Sequence, residues 1–230
     1  MKDTCKKFLD ETRECECRDA DCFCVKLFKL DQLYNLSALS MRQRRRVQLR
    51  VDADGTDRDE FLQLKSVEEN ILQFVQRGDN LYIYSEQVGN GKSTWSIRLL
   101  QSYLNAIWHK CDISCKVLFV SVPRYLLAIK DNITNSNEYA IFINEHILEA
   151  DIVVFDDIAT KTATQFEHEN LFNIIDTRIN EGKSCIFTSN LTYDGLVASI
   201  GPRIASRIFN TSVAIQLHGV DKRSLGGNVL

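Results

Sequence analysis

From residue 61 onward the chain alternates between amphipathic stretches and short, wholly apolar runs. FLQLKSVEENILQFVQRGD (61–79) carries apolar residues at helical spacing, with Gly78 placed as a stop. NLYIYS (80–85) is an apolar, aromatic run suited to a buried strand, and TWSIRLLQSYLNAIW (94–108) returns to the helical period. KVLFVSV (116–122) predicts a second strand, which Pro123 should end while opening a helix. ADIVVFDD (150–157) and SCIFTSN (184–190) predict two more strands, each an apolar run closed by polar residues. YDGLVASIGPRIASRIFNTSVAIQL (193–217) reads as helices followed by a final strand. Continuous apolar runs alternating with amphipathic helices predict an α/β fold, a parallel sheet covered by helices on both faces.

The first 60 residues have a different texture. Five of the eight cysteines (Cys5, Cys15, Cys17, Cys22 and Cys24) fall within the first 24 residues. MRQRRRVQLR (41–50) holds five arginines and no acid, and Asp52, Asp54, Asp57, Asp59 and Glu60 follow around Gly55. This charge switch predicts a linker or domain edge, dividing the chain into 1–60 and 61–230. With 230 residues, 44% hydrophobic and 26% charged, the chain has the composition of a globular protein, one domain plus an appendage. The net charge of −3 excludes a globally basic DNA-coating protein. No apolar run approaches the length of a membrane span, and the first residues show no signal-peptide pattern. The expected address is the cytosol.

The turn between the first strand and its helix carries the chemistry. Glu86-Gln87-Val88-Gly89-Asn90-Gly91-Lys92-Ser93 fits G-x-x-x-x-G-K-[ST] except at its first position, where Glu86 replaces glycine. Gly91 lets the backbone approach a phosphate, and successive N–H groups through Val88, Gly89, Asn90 and on to Thr94 can point at the anion. Lys92 would reach the β- and γ-phosphates of ATP, and the Ser93 hydroxyl would help hold Mg²⁺. Gly89 offers a positive φ close to the missing glycine. At the end of the third strand, Asp156 is placed to hold Mg²⁺ and Asp157 to orient a water, one methylene shorter than a glutamate there. Thr188, Ser189 and Asn190 close the fourth strand. Asn190 would meet the γ-phosphate or attacking water, or mark a simple strand-to-turn transition. Arg203 and Arg207 share one face of a helix, and Arg223 follows the last strand. Each suits phosphate contact or a solvated surface.

SEQVGNGKSTW, IVVFDDI, IFTSNL and the spacing of GPRIASRI together resemble the DnaC/DnaI-like helicase loaders, AAA+ ATPases of bacteria and their phages, whose core is shared by IstB-related transposition helpers. The resemblance covers residues 61–230. It implies that Lys92 and Ser93 are Walker A residues, Asp156 and Asp157 Walker B, Asn190 sensor I, Arg207 the arginine finger and Arg223 the sensor II arginine. Glu86 and Asp157 depart from the pattern and bear on the rate of hydrolysis. The resemblance further implies a partner, the replicative hexameric DNA helicase, which a loader delivers to single-stranded DNA, and self-association on that helicase, since an arginine finger works across a subunit boundary.

Clustered thiols in a cytosolic protein favour Zn²⁺, four of the five N-terminal cysteines serving as ligands, over free thiols or a redox or iron–sulfur role. Some helicase loaders carry a zinc-bearing N-terminal domain, and residues 1–40 resemble that adaptor. The arginines at 42–50 would contact nucleic acid or an acidic partner surface, or form a solvated linker helix. Trp95 and Trp108 are expected in the core, and His109, Cys111 and Cys115 are expected to be structural. The expected function is an ATP-dependent helicase loader of a phage or mobile element. The alternatives are a transposition helper and a nucleotide-binding adaptor that barely hydrolyses. A replication initiator is disfavoured, because residues 211–230 leave no room for a duplex-binding domain.

Overall fold

The structure is a computed structural model that describes residues 23–46, 49, 51, 55–132, 135–158 and 164–221. Five parallel strands form one sheet: β1 (Asn80–Tyr84), β2 (Val117–Ser121), β3 (Ile152–Asp156), β4 (Ser184–Ser189) and β5 (Ser212–Gln216). Their order is β2-β3-β4-β1-β5, so β4 is inserted between β1 and β3. The register pairs Tyr82 with Phe187 and Val154 with Ile186, and sets Ser121 opposite Asp156. All strands run the same way, and their C-terminal ends share one edge.

The helices are α1 (Phe23–Asn35), α2 (Arg58–Glu69), α3 (Ile71–Gln76), α4 (Lys92–Ile107), α5 (Val122–Asp131), α6 (Glu138–His146), α7 (Gln165–Asn180), α8 (Tyr193–Ile200) and α9 (Pro202–Thr211). Side chains alternate across a strand, and the two faces accordingly feed two cores. Tyr82, Leu118, Val120, Val153, Phe155 and Phe187 pack with residues of α5 to α9. Leu81, Ile83, Val117, Phe119, Ile152, Val154, Ile186 and Ile215 pack with α1 to α4. Strands covered on both faces read as unbroken apolar runs for this reason.

Local signals explain most boundaries. Pro123 lies in the first turn of α5, where its missing N–H removes no helical bond. Asn137 caps α6 by accepting from the Ala140 amide, and Thr164 with Glu167 forms a capping box at α7. The helix expected over 61–79 is two helices, and it begins earlier, at Arg58. Asn70 breaks it by donating from Nδ2 to the Ser66 carbonyl (2.9 Å), a side-chain bond that competes with the helical ladder. Past α3 the Gly78 amide donates to the Val75 carbonyl and the Asp79 amide to the Phe74 carbonyl, a Schellman ending.

The described part of the first 60 residues packs on the sheet. Leu30 and Leu33 of α1 and Leu39 beyond it enter the core shared by α2, α3 and α4. The Phe119 amide donates to the Ser37 carbonyl (2.9 Å), and the Cys115 thiol to the Leu36 carbonyl (3.0 Å). Burial pushes the Cys115 thiol up to about 12, an inert structural thiol. Of the arginine run, Arg44 folds back onto the Leu39 carbonyl and Asn35, in turns rather than a helix. Arg46, 70% exposed, reaches Glu68 at 3.7 Å. Cys24 is buried in α1 as a free thiol, whereas Cys5, Cys15, Cys17 and Cys22 lie outside the described residues. Among the described residues no group of His, Cys, Asp and Glu is placed to hold a metal, and no helix is long and apolar enough to cross a membrane.

Leu33 is 1% exposed. Leu33→Ala is therefore expected to lower the stability of the whole domain by about 2–5 kcal/mol in urea unfolding, as for other core leucines. A cost near zero would mean that α1 does not belong to this core.

Candidate nucleotide-binding site

The loop between β1 and α4 is held by its own polar side chains. The buried Ser85 hydroxyl accepts from the Gln87 amide (3.1 Å) and from Asn90 Nδ2 (2.5 Å), while the Ser85 amide donates to the Ser189 carbonyl (3.2 Å). The loop is thus pinned to the ends of β1 and β4 together. Gly91 caps α4 at φ 107° and Gly89 has φ 77°, a left-handed region costly for residues with a Cβ. Glu86 and Val88 are exposed, and Thr94 is half-buried. The carboxylate replacing the first glycine therefore sits at the solvent side of the turn.

Lys92 opens α4 and is buried, 6% exposed. Its Nζ donates to the Gln87 carbonyl (3.0 Å) and to Asn90 Oδ1 (3.4 Å), so the ammonium curls over its own loop. Next to it, the Ser93 hydroxyl lies near Asp156, the last residue of β3, and favours its ionised carboxylate. Asp156 Oδ1 also accepts from the Thr188 hydroxyl at 2.7 Å. That hydroxyl in turn accepts from the Asp157 amide at 3.0 Å. Asp157 stands at φ 56°, a left-handed position that aspartate tolerates better than most residues, and turns the chain off the strand end.

Burial pushes the Asp156 carboxyl up from its ordinary value; the Ser93 and Thr188 hydroxyls and the Lys92 charge oppose that rise, and Asp157 adds to it. A buried carboxylate beside a second carboxylate and a hydroxyl is a donor set for a hard divalent cation. Ser93 and Asp156 fit Mg²⁺ on that chemistry, and the backbone of the loop at a helix N-terminus fits phosphate.

The other expected residues are placed less centrally. Asn190 directly follows β4 and is half-buried, one residue beyond the edge that holds Thr188. Arg207 Nε donates to Asp176 at 2.5 Å and Nη2 to Asn180 (3.3 Å), both on α7. Arg203 stacks over Phe172 one turn earlier on α7, 4.3 Å from the ring centroid. The α7 C-terminus leads into the start of β4, so Arg207 lies toward the edge of the sheet opposite the loop and is not brought to its own chain's phosphate cradle. Arg223 lies outside the described residues.

Two features escaped the sequence. Thr188 ties the two aspartates together, and a register in which the residues at the end of β4 meet those at the end of β3 would have singled it out. Thr56, Asp57, Phe61, Asn90, Trp95 and Leu217 enclose a small cleft beside the loop, in which Phe61 meets Trp95 edge to face at 5.2 Å. Nothing local in the sequence marks that grouping.

A glycine-containing loop between a strand and a helix, facing paired aspartates on a strand separated from the first by one other, is the architecture of a P-loop nucleotide-binding fold. The chain belongs to the IstB-like ATP binding protein family, whose profile it matches over residues 29–210. A search of curated protein sequences returns no match. Among solved structures it resembles the DnaC helicase loader at 15% identity and TM-score 0.59, over 78% of this chain and 100% of that one. It resembles DnaI at 18% identity and TM-score 0.59, over 84% and 100% of the two chains. AMPPCP-bound DnaA from Aquifex aeolicus is similar at 19% identity and TM-score 0.53, over 74% of this chain and 48% of that one.

The raised Asp156 carboxyl has a sign that can be tested. An acid whose folded pKa lies above its unfolded value costs stability once pH passes that unfolded value, near 4, and ionisation begins. Asp156→Asn should therefore raise the melting temperature of the metal-free protein at neutral pH, by about 2–4 °C for each kcal/mol relieved. It should remove that pH dependence and abolish Mg²⁺-dependent nucleotide binding. Calorimetric melts at pH 7 showing a lower temperature for Asp156→Asn would contradict this electrostatic reading.

Proposed function

We propose that this protein is an ATP-dependent loader of the replicative hexameric DNA helicase, which it binds and delivers to single-stranded DNA. One observation carries the reading beyond nucleotide binding: the likeness to DnaC and DnaI spans the whole of those chains, whereas the likeness to DnaA spans about half of it. In this reading Lys92 gives up Gln87 and Asn90 for the β- and γ-phosphates, while amides from Val88 to Thr94 cradle the anion. Ser93 and Asp156 would hold Mg²⁺, which supplies charge neutralisation at the transferring phosphoryl group. Asp157 orients the attacking water and Asn190 meets the γ-phosphate. Arg207 serves a neighbouring subunit's nucleotide across the interface, where an edge position on α9 is an asset, and Arg223 completes the site from the C-terminal segment. Activity then requires several copies, assembled on the helicase.

The adaptor in this proposal lies in residues 1–40, joined to the sheet through α1 and Leu39, with Zn²⁺ on four of Cys5, Cys15, Cys17, Cys22 and Cys24. The cytosol is where such thiols and such a partner coexist. Metal analysis of protein purified without added zinc should give about one zinc per chain, as a four-thiolate site requires. Negligible zinc, with the cysteines fully reactive to a thiol reagent, would remove the metal from the proposal.

Light scattering of the protein mixed with its host's replicative helicase, with and without ATP, tests the function. A complex of several copies per helicase hexamer is expected, with ATP changing its lifetime. No complex in either state would overturn the loader reading in favour of a transposition helper, which the family match also accommodates.

A further inference from the structure

Residues 217–221 follow β5 and cross the mouth of the phosphate loop. The Leu217 amide donates to the Tyr84 carbonyl (2.8 Å), and the Leu217 carbonyl accepts from Asn90 Nδ2 of the loop (3.4 Å). The next two amides, of His218 and Gly219, donate to the two oxygens of Asp57, at 2.6 and 2.7 Å. Asp57 stands at φ 60° immediately before α2, its side chain turned to this segment rather than to the amides of its own helix. Two residues further, the Asp221 carboxylate rests on the loop itself. A Cβ built on Gly89 would lie 1.9 Å from Asp221 Oδ1. Residues far apart in sequence thus form one chain of contacts, from the linker before α2, through the C-terminal segment, to the loop.

The two carboxylates work differently. Asp57 accepts paired backbone hydrogen bonds, charge-assisted and therefore stronger than neutral ones. Asp221 places negative charge against a loop shaped to receive a polyphosphate, and like charges at such range repel. We propose that Asp57 is a positioning residue which clamps the C-terminal segment, and with it the Asp221 carboxylate, over the phosphate loop, so that a nucleoside polyphosphate binds by displacing that carboxylate. The inference rests on reading the loop as the nucleotide site. Linkage makes the effect reciprocal. A partner that draws the linker away from α2 loosens the clamp and tightens nucleotide binding, and bound nucleotide loosens the linker by the same factor.

A double-mutant cycle read by fluorescence of mant-ADP with Mg²⁺ tests this. Asp221→Asn and Asp57→Ala are each expected to lower Kd about tenfold, within the range of typical coupling. The double variant should bind no tighter than Asp221→Asn alone, since both act through one contact. Asp57→Glu, which keeps a carboxylate, should stay nearer to wild type than Asp57→Ala. The gain in Asp221→Asn should shrink as salt rises, which a merely structural role would not produce. If Asp57→Ala fails to fold, Asp221→Asn and its salt dependence decide. Single variants within about twofold of wild type, additive effects, or weaker binding by a folded Asp57→Ala would overturn the clamp, the coupling then lying below its usual range. No binding by wild type, or undiminished binding by Lys92→Ala, would instead overturn the nucleotide reading, and the clamp with it.

Discussion

Asp156 ends a central strand with its carboxylate buried, and a charge there must be answered by hydrogen bonds or by a cation. The rest of the site is arranged around that requirement. Ser93 reaches it from the first turn of α4, Thr188 from the neighbouring strand, and the Lys92 charge lies close enough to favour ionisation. Together with Asp156 on β3, these groups come from three elements far apart in sequence. Only a parallel sheet with β4 between β1 and β3 brings the ends of all three strands to one edge in this order. Packing on both faces of the sheet fixes that edge, so core and chemistry depend on the same register.

The loop shows how a departure from a motif is absorbed. Its first glycine is replaced by Glu86, yet the turn closes, because Ser85 and Asn90 bond to each other and Gly89 supplies a left-handed residue a few positions on. The glutamate is left in solvent, where its charge is screened. The second departure, Asp157, is set by backbone geometry as much as by side-chain length. Its left-handed φ and its amide bond to Thr188 fix where the chain leaves the strand.

What was legible in the sequence was local. Unbroken apolar runs gave four of the five strands, Pro123 opened its helix, and the residues from Gly89 to Ser93 sit together in sequence as they do in space. What was not legible depends on partners distant along the chain. Arg207 reads as a free arginine until Asp176 is placed beneath it, and Asp57 reads as one of several linker acids until His218 and Gly219 are seen to lie on it. The helix α1 was obscured differently. The nearby cysteines drew attention to composition, while Leu30 and Leu33 carried the packing signal. Asn70 interrupts a good helical pattern through one side-chain bond, a contest that periodicity does not register.

If the loop from Ser85 to Ser93 and the aspartate at the end of β3 form one Mg²⁺–nucleotide site, nucleotide binding depends on Lys92 and on the cation together. Titration calorimetry of the wild-type protein and Lys92→Ala with a non-hydrolysable ATP analogue, in Mg²⁺ and then in EDTA, tests it most directly. Saturable binding by the wild type that weakens without Mg²⁺ and is lost in Lys92→Ala is expected. Heat changes that are absent at millimolar analogue, or that survive both Lys92→Ala and EDTA unchanged, would contradict it.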